Sequence, residues 1–272
     1  MPLYQAIVLA IIQGLTEFLP VSSTAHLTLF PWFLGWKDPG LTFDVALHAG
    51  TLVAVLVYFR RLWVDMLLAA AGQGKGSPAE IEEKRRLFWY LVIGTIPGGI
   101  AGYLLERRAE DEFRTPLVIA VAMIVVALLM WAGERFSRRE ESLGQVTFLD
   151  SIVVGVAQAL AVIPGVSRSG ITMTAGLFRG MTRETAARFS FLLSTPLIAG
   201  AALKKGLDII RHEGLSPEMR LPFAVGIVVS GLVGYVVIAW LIRYLERRTF
   251  TVFIVYRLAL GVVVLAWWAL RS

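Results

Sequence analysis

Residue types that bind and cleave phosphate esters gather at two places in an otherwise apolar chain. The first holds Gln13, Glu17, Ser22, Ser23, Thr24 and His26; the second holds Ser167, Arg168, Ser169 and Thr172. Gln13 and Glu17 are four apart, so a helix puts both on one face. A helix starting near Ser22 places Ser22 and Ser23 one turn before His26, on its face. A carboxylate in such company can hold a divalent cation or activate a nucleophile. A serine can attack phosphorus or orient a phosphate, and an imidazole can move the proton. Arg168 adds a fixed charge whose forked donors suit phosphate. The hydroxyl residues are also N-cap types, and a capped helix start offers free N–H groups and a partial positive charge to an anion. Each group has a plainer reading. Ser22 or Ser23 can simply cap a helix, Glu17 and Arg168 can form a structural ion pair, and His26 can be a hydrogen-bonded structural histidine. Asp44 and His48, also four apart, have a weaker claim on the site. Arg188 reads as an interfacial anchor or a partner of Glu184, and His212 as a solvated loop residue.

The elements that must position these groups are membrane helices. The chain has 272 residues, 57% of them hydrophobic and 17% charged, against roughly a quarter charged in a soluble domain. Apolar runs at 42–59, 87–106, 116–135, 185–205, 221–243 and 250–270 match the roughly 20 residues a helix needs to cross a hydrocarbon core. Stretches 3–34 and 147–180 differ, because each is broken: the first at Pro20-Val21-Ser22-Ser23-Thr24, the second at Pro164-Gly165-Val166-Ser167-Arg168-Ser169-Gly170. Irregular backbone at membrane depth is tolerated only inside protein or beside a wet cavity. Both stretches therefore read as re-entrant hairpins. The net charge of +6 sits in clusters between apolar runs, such as Arg60-Arg61 and Arg247-Arg248; that placement anchors and orients a membrane protein and argues against nucleic acid. Cysteine is absent, which removes disulfides and thiolate chemistry. No basic segment or small-residue cleavage site precedes Pro20, so the N-terminus reads as structure rather than a removable signal. The stretch from Arg60 to Arg86 reads as a solvated connector with a helix start at Glu80–Arg86.

The whole chain, 1–272, reads as one all-α membrane domain built from two repeats, about 1–136 and 147–272. At one constant offset Ile7, Val8, Gln13, Leu15, Val21 and Ser22 fall over Ile152, Val153, Gln158, Leu160, Val166 and Ser167. At an offset one residue longer Phe43, Leu47 and Leu52 fall over Phe189, Leu193 and Ile198, and Gly102-Tyr103 resembles Gly234-Tyr235. One hairpin and three spans per repeat make the second repeat inverted relative to the first. Loops 60–86, 135–146 and 243–249 then share a side and carry twelve Lys or Arg, against nine on the other side, so the first group is expected in the cytoplasm. Inverted repeats with broken helices also serve secondary transporters. The rival reading is therefore an anion or polyprenyl-phosphate transporter with Glu17 and His26 as proton sites.

The segment Gln13-Gly14-Leu15-Thr16-Glu17-Phe18-Leu19-Pro20-Val21-Ser22-Ser23-Thr24-Ala25-His26 resembles the first signature of the undecaprenyl-diphosphatase, or bacitracin-resistance, family. Pro164-Gly165-Val166-Ser167-Arg168-Ser169-Gly170-Ile171-Thr172 resembles its second, and the similarity continues through Phe189-Ser190-Phe191-Leu192-Leu193 and Pro196. The family's first signature takes Glu or Gln, three residues, then Glu; Gln13 is the neutral variant, which leaves Glu17 as the metal-associated carboxylate. The resemblance implies hydrolysis of undecaprenyl diphosphate to the monophosphate, assisted by magnesium or calcium, in a multi-pass protein of the bacterial inner membrane with its site toward the periplasm. It also implies the inverted-repeat, re-entrant architecture. Glu17, Ser23, His26 and Arg168 would be catalytic, and Gln13, Ser22, Thr24, Ser167, Ser169 and Thr172 would bind substrate. Oligomeric state is left open.

Overall fold

In a computed structural model of the chain, residues 1–214 and 216–270 are described, without the side chains of residues 106, 107, 109–111, 212 and 213. The expectation for His212 therefore lies outside the described residues. Everything regular among the described residues is helix: α1 (Leu3–Thr16), α2 (Ser23–Leu34), α3 (Leu41–Tyr58), α4 (Arg60–Ala70), α5 (Pro78–Asp111), α6 (Pro116–Phe136), α7 (Phe148–Ala159), α8 (Arg168–Phe178), α9 (Arg183–Asp208), α10 (Pro217–Leu245) and α11 (Thr251–Ala269). Among the described residues six segments are long and apolar enough to cross a membrane: Leu41–Tyr58, Pro78–Leu105, Pro116–Phe136, Arg183–Arg211, Pro217–Leu245 and Thr251–Ala269. These are the six expected runs, extended at α5 by a capping box. There Ser77 Oγ accepts from Glu80 N and Glu80 Oε2 accepts from Ser77 N, with Pro78 preset for the first turn. Large apolar side chains such as Leu128, Val228 and Val255 face outward, as they must in a protein whose solvent is lipid.

The stretch from Arg60 to Arg86 departs from its expectation. Instead of a connector it opens with α4, because Leu62, Trp63, Met66 and Ala69 fall on one helical face; Leu62, Trp63 and Met66 pack in the main core, and Met66 and Ala69 are buried. Only 71–77 remains irregular.

Both broken stretches fold back on themselves. Ahead of α7, Glu140 N and Glu141 N donate to Gly180 O at 2.8 and 3.0 Å, and Thr182 N donates to Glu141 O at 3.1 Å. Arg179, just after α8, reaches Asp150 in the first turn of α7 at 2.6 Å. The chain thus enters and leaves this hairpin at one level. In the first hairpin Tyr4 of α1 meets Trp36, just past α2, edge to face at 5.7 Å.

The long helices clamp the hairpins reciprocally. α1 packs on α10 and α7 on α5, while α3 packs on α9 and α6 on α11. Small residues let backbones approach closely, as membrane helices require. A Cβ on Gly155 of α7 would lie 2.3 Å from Gly94 O of α5, so no larger residue fits without separating the two helices. Gly155→Ala is therefore expected to cost about 1–3 kcal/mol, read as a lowered unfolding midpoint in detergent. Gly99→Ala, whose Cβ would meet nothing within 4 Å, should hold or raise it; equal midpoints for the two variants would refute the tight α5–α7 contact.

Candidate active site

The site begins where two helices stop. α1 ends at Thr16, Pro20 prevents its continuation, and the chain turns at Ser22 with φ 75 and ψ 98 before α2 starts. α7 ends at Ala159, the chain passes Pro164 and Gly165, and it turns at Ser167 with φ 71 and ψ 112 before α8 starts. The two turns are conformational copies. A non-glycine residue at positive φ costs about 1–3 kcal/mol, and glycine would avoid that cost. Serine supplies what glycine lacks: Ser22 Oγ accepts from Ala25 N at 3.3 Å and Ser167 Oγ from Gly170 N at 3.0 Å, capping each new helix.

The carbonyls left behind by both breaks converge on Arg257 of α11, which is 0% exposed. It donates from Nη1 to Pro20 O at 3.2 Å, and from Nη2 to Gly165 O and Val166 O at 2.8 and 3.1 Å. Its Nε reaches Met123 O of α6 at 3.2 Å. Sequence reasoning missed this residue. The signal was there, a charge well inside the last apolar run, and such residues are functional by default. The hairpin tips also touch directly, through Ser169 Oγ donating to Leu19 O at 3.0 Å.

Glu17 is the hub. Its Oε2 accepts from Gln13 Nε2 at 3.0 Å, Ser23 Oγ at 2.6 Å and His48 Nε2 at 3.2 Å, while Oε1 pairs with Arg168 from the other hairpin. His48 Nδ1 faces Asp44 O at 2.7 Å. Both ring nitrogens thus face acceptors, the pattern of a doubly protonated imidazole. One carboxylate against a guanidinium and an imidazolium leaves the centre positive, which suits an anion. The Asp44 carboxylate turns away to Arg114 at 2.7 Å, and Arg114 also binds Asp38 at 2.9 Å. Burial works against the Arg114 cation, but these two carboxylates outweigh it and raise its pKa above the ordinary arginine value. Asp44 therefore braces the start of α3 and aims His48.

A cavity of about 270 Å³ opens onto this cluster. Of the expected site residues, Glu17, Ser22, Ser23, Thr24, Ser167 and Arg168 line it, joined by His48 and Gln158. Gln13 stands behind Glu17, fully buried. His26 does not join the cluster. Its ring folds back so that Nδ1 donates to Ser22 O at 2.7 Å, and Nε2 meets the Tyr256 hydroxyl at 2.6 Å, the two rings stacked. Ser169 is spent on Leu19, and Thr172 on Arg168 O and Ser190 Oγ, at 2.7 and 2.6 Å. Arg188 pairs with Glu184 as expected, at 2.7 Å.

Among the described residues, Glu17 is the only carboxylate lining the cavity, and no group of three His, Asp or Glu is placed to hold a metal. Gln13 Oε1, however, is buried and unpartnered beside it. One carboxylate and one amide oxygen fit a divalent cation whose remaining ligands are water and the oxygens of a bound phosphate.

The family described as bacitracin resistance protein BacA matches residues 6–263 of the chain. Among similar curated proteins, the undecaprenyl-diphosphatase of Moorella thermoacetica is 49% identical, over 100% of both chains. That of Gemmatimonas aurantiaca is 50% identical, again over 100% of both. That of Pelotomaculum thermopropionicum is 46% identical over 100% of this chain and 99% of the relative.

Arg257→Met strips charged donors from the carbonyls of both breaks, which is expected to cost about 3 kcal/mol or more. Arg188→Met, which removes a half-buried surface pair, should cost about 1 kcal/mol or less. Unfolding of the two variants in detergent compares them, and an Arg257→Met midpoint equal to the parent's would show that this residue does not hold the breaks.

Proposed function

The chain belongs to the bacitracin resistance protein BacA family, and from that membership we propose that the Glu17–Ser23–Arg168 cavity is where it hydrolyses undecaprenyl diphosphate. The products are undecaprenyl phosphate and inorganic phosphate. This returns the lipid carrier to cell-wall synthesis and confers bacitracin resistance. The observation that carries the assignment of the site is Ser23 Oγ donating to Glu17 Oε2 at 2.6 Å, beside Arg168 and between two serine-capped helix starts.

Arg168 and the N–H groups opening α2 and α8 hold the terminal phosphate, with Ser22, Thr24 and Ser167 around it. Ser23 Oγ attacks the terminal phosphorus while Glu17 takes its proton. The Oγ–P bond forms and the bridging P–O bond breaks. Undecaprenyl phosphate leaves with the electron pair; its second pKa is near 6, so departure needs no proton donor. Glu17 releases the proton taken from Ser23 to solvent; water then attacks the phosphoserine and gives one proton to Glu17, and the Oγ–P bond breaks as Glu17 passes this proton to Ser23 Oγ and inorganic phosphate departs. Positioning and electrostatics carry most of such a transfer, and His48 holds Glu17 in place for it. His26 acts as a positioning residue through the Ser22 carbonyl, fixing the start of α2. A magnesium or calcium ion, when bound, neutralises charge on the diphosphate, and Glu17 with Gln13 Oε1 would hold it.

The same reading makes hairpin-plus-three-helix units an inverted pair in the bacterial inner membrane, with the cavity opening toward the periplasm. The matched turns at Ser22 and Ser167 support the pairing, as does the reciprocal packing of α1 on α10 and α7 on α5. The excess of Lys and Arg on loops 60–86, 135–146 and 243–249 supports the orientation.

Phosphate release from a C55 diphosphate in detergent is the test, run with magnesium, calcium or chelator. Ser23→Ala, Glu17→Gln and Arg168→Ala are each expected to lose about 100-fold or more, and chelator to lower release by the parent. After rapid quench with substrate labelled at the terminal phosphate, the parent should carry label and Ser23→Ala none. Turnover by Ser23→Ala near the parent rate would remove Ser23 as the nucleophile.

A further inference from the structure

One polar side chain in the cavity wall has no partner. Gln158, near the end of α7, is 1% exposed, and neither Oε1 nor Nε2 hydrogen-bonds to anything among the described residues. A buried amide unpaired at both ends is less favourable there than an apolar side chain of similar shape. Its repeat counterpart explains the contrast. The constant offset that sets Gln158 over Gln13 sets Val162 over Glu17, so Gln13 has a carboxylate one turn away and Gln158 has none.

Gln158 stands where the cavity changes character. Glu17, Ser23 and Arg168 line the same cavity as Gly98, Gly102 and Leu197, and Gln158 lies beside Gly98 and Leu197. Its Nε2 is 3.2 Å from the point where a Gly98 side chain would begin, and a Leu197 methyl is 3.3 Å from that same point. A turn further along α5, nothing lies within 4 Å of the corresponding point on Gly102. The wall beyond the amide is apolar and held open by missing side chains.

We propose that Gln158 binds the phosphate that carries the polyprenyl chain, and that the chain leaves along the Gly98–Gly102 face of α5. This rests on the undecaprenyl diphosphate reading above. Attack by Ser23 Oγ places the terminal phosphorus in the polar cradle. The ester phosphate then sits one bridging oxygen away, on the side where its chain meets apolar wall, and that is the side of Gln158. The terminal amide torsion is soft, so Nε2 can turn to a phosphate oxygen. This phosphate is held both before and after cleavage, so the contact contributes to substrate and lipid-product binding alike and leaves the chemical step unaided.

The test uses the full chain in detergent, with C55 and C15 prenyl diphosphates as substrates. Gln158→Leu should raise KM for both about tenfold or more and keep kcat within about threefold. Its unfolding midpoint should not fall, because an unpaired amide is removed; a structural glutamine would lower it. Inhibition by C15 monophosphate should weaken in parallel while inhibition by inorganic phosphate stays as in the parent. Gly102→Leu should raise KM likewise, also with inorganic phosphate inhibition unchanged. An unchanged KM in Gln158→Leu overturns the proposal, and so does weakened inhibition by inorganic phosphate, which would move Gln158 to the terminal phosphate. Parent KM in Gly102→Leu overturns the exit path. If the parent itself released no phosphate, the hydrolase reading would fall, and direct binding of C15 monophosphate to parent and Gln158→Leu would still decide this one.

Discussion

A helix that stops inside hydrocarbon leaves backbone N–H and C=O groups that lipid cannot satisfy, and this chain stops two helices there. The two stops are made tolerable by one another. Serine hydroxyls take up N–H groups at the new helix starts, and Arg257 takes up carbonyls from both sides at once. Neither hairpin is complete alone, since the carbonyls of Pro20 and of Gly165 share a single guanidinium. That shared satisfaction brings Glu17 within reach of Arg168. The candidate active site is thus a consequence of how broken membrane helices must be closed.

The same constraint sets the electrostatics. Among the described residues Arg257 has only carbonyls for partners, and Glu17 is shared between Arg168 and His48. Positive charge in surplus at membrane depth is unfavourable in an empty site. A diphosphate restores the balance, so the energy of an anion's arrival is built into the fold. A long polyprenyl chain meets no such demand, since it only exchanges one apolar surface for another. A carrier lipid can therefore offer its headgroup to the cradle without leaving the bilayer.

Much of this was legible in the sequence, for identifiable reasons. The six spans follow from run length, because hydrocarbon thickness is a fixed ruler. The two breaks follow from proline, glycine and serine clustered inside apolar stretches. α4 was hidden because its apolar face, Leu62, Trp63, Met66 and Ala69, is narrow and set among charges. The choice of imidazole was hidden for a different reason. His26 is nearer in sequence to Ser23, but its ring is captured by the Ser22 carbonyl, while His48 arrives from α3 to meet Glu17. Which helix crosses which is a long-range fact. Arg257 and Gln158 were legible in principle, one as a charge deep in a span and the other as a glutamine in an apolar stretch with Val162, not an acid, one turn on.

The central claim is that both hairpin tips hold one diphosphate. An experimental structure with a non-hydrolysable prenyl methylene-diphosphonate tests it most directly. The diphosphonate is expected between the two helix starts, with its terminal phosphonate in contact with Ser23 from the first hairpin and Arg168 from the second. A diphosphonate seated against one hairpin alone, with Glu17 and Arg168 still paired beneath it, would contradict the account.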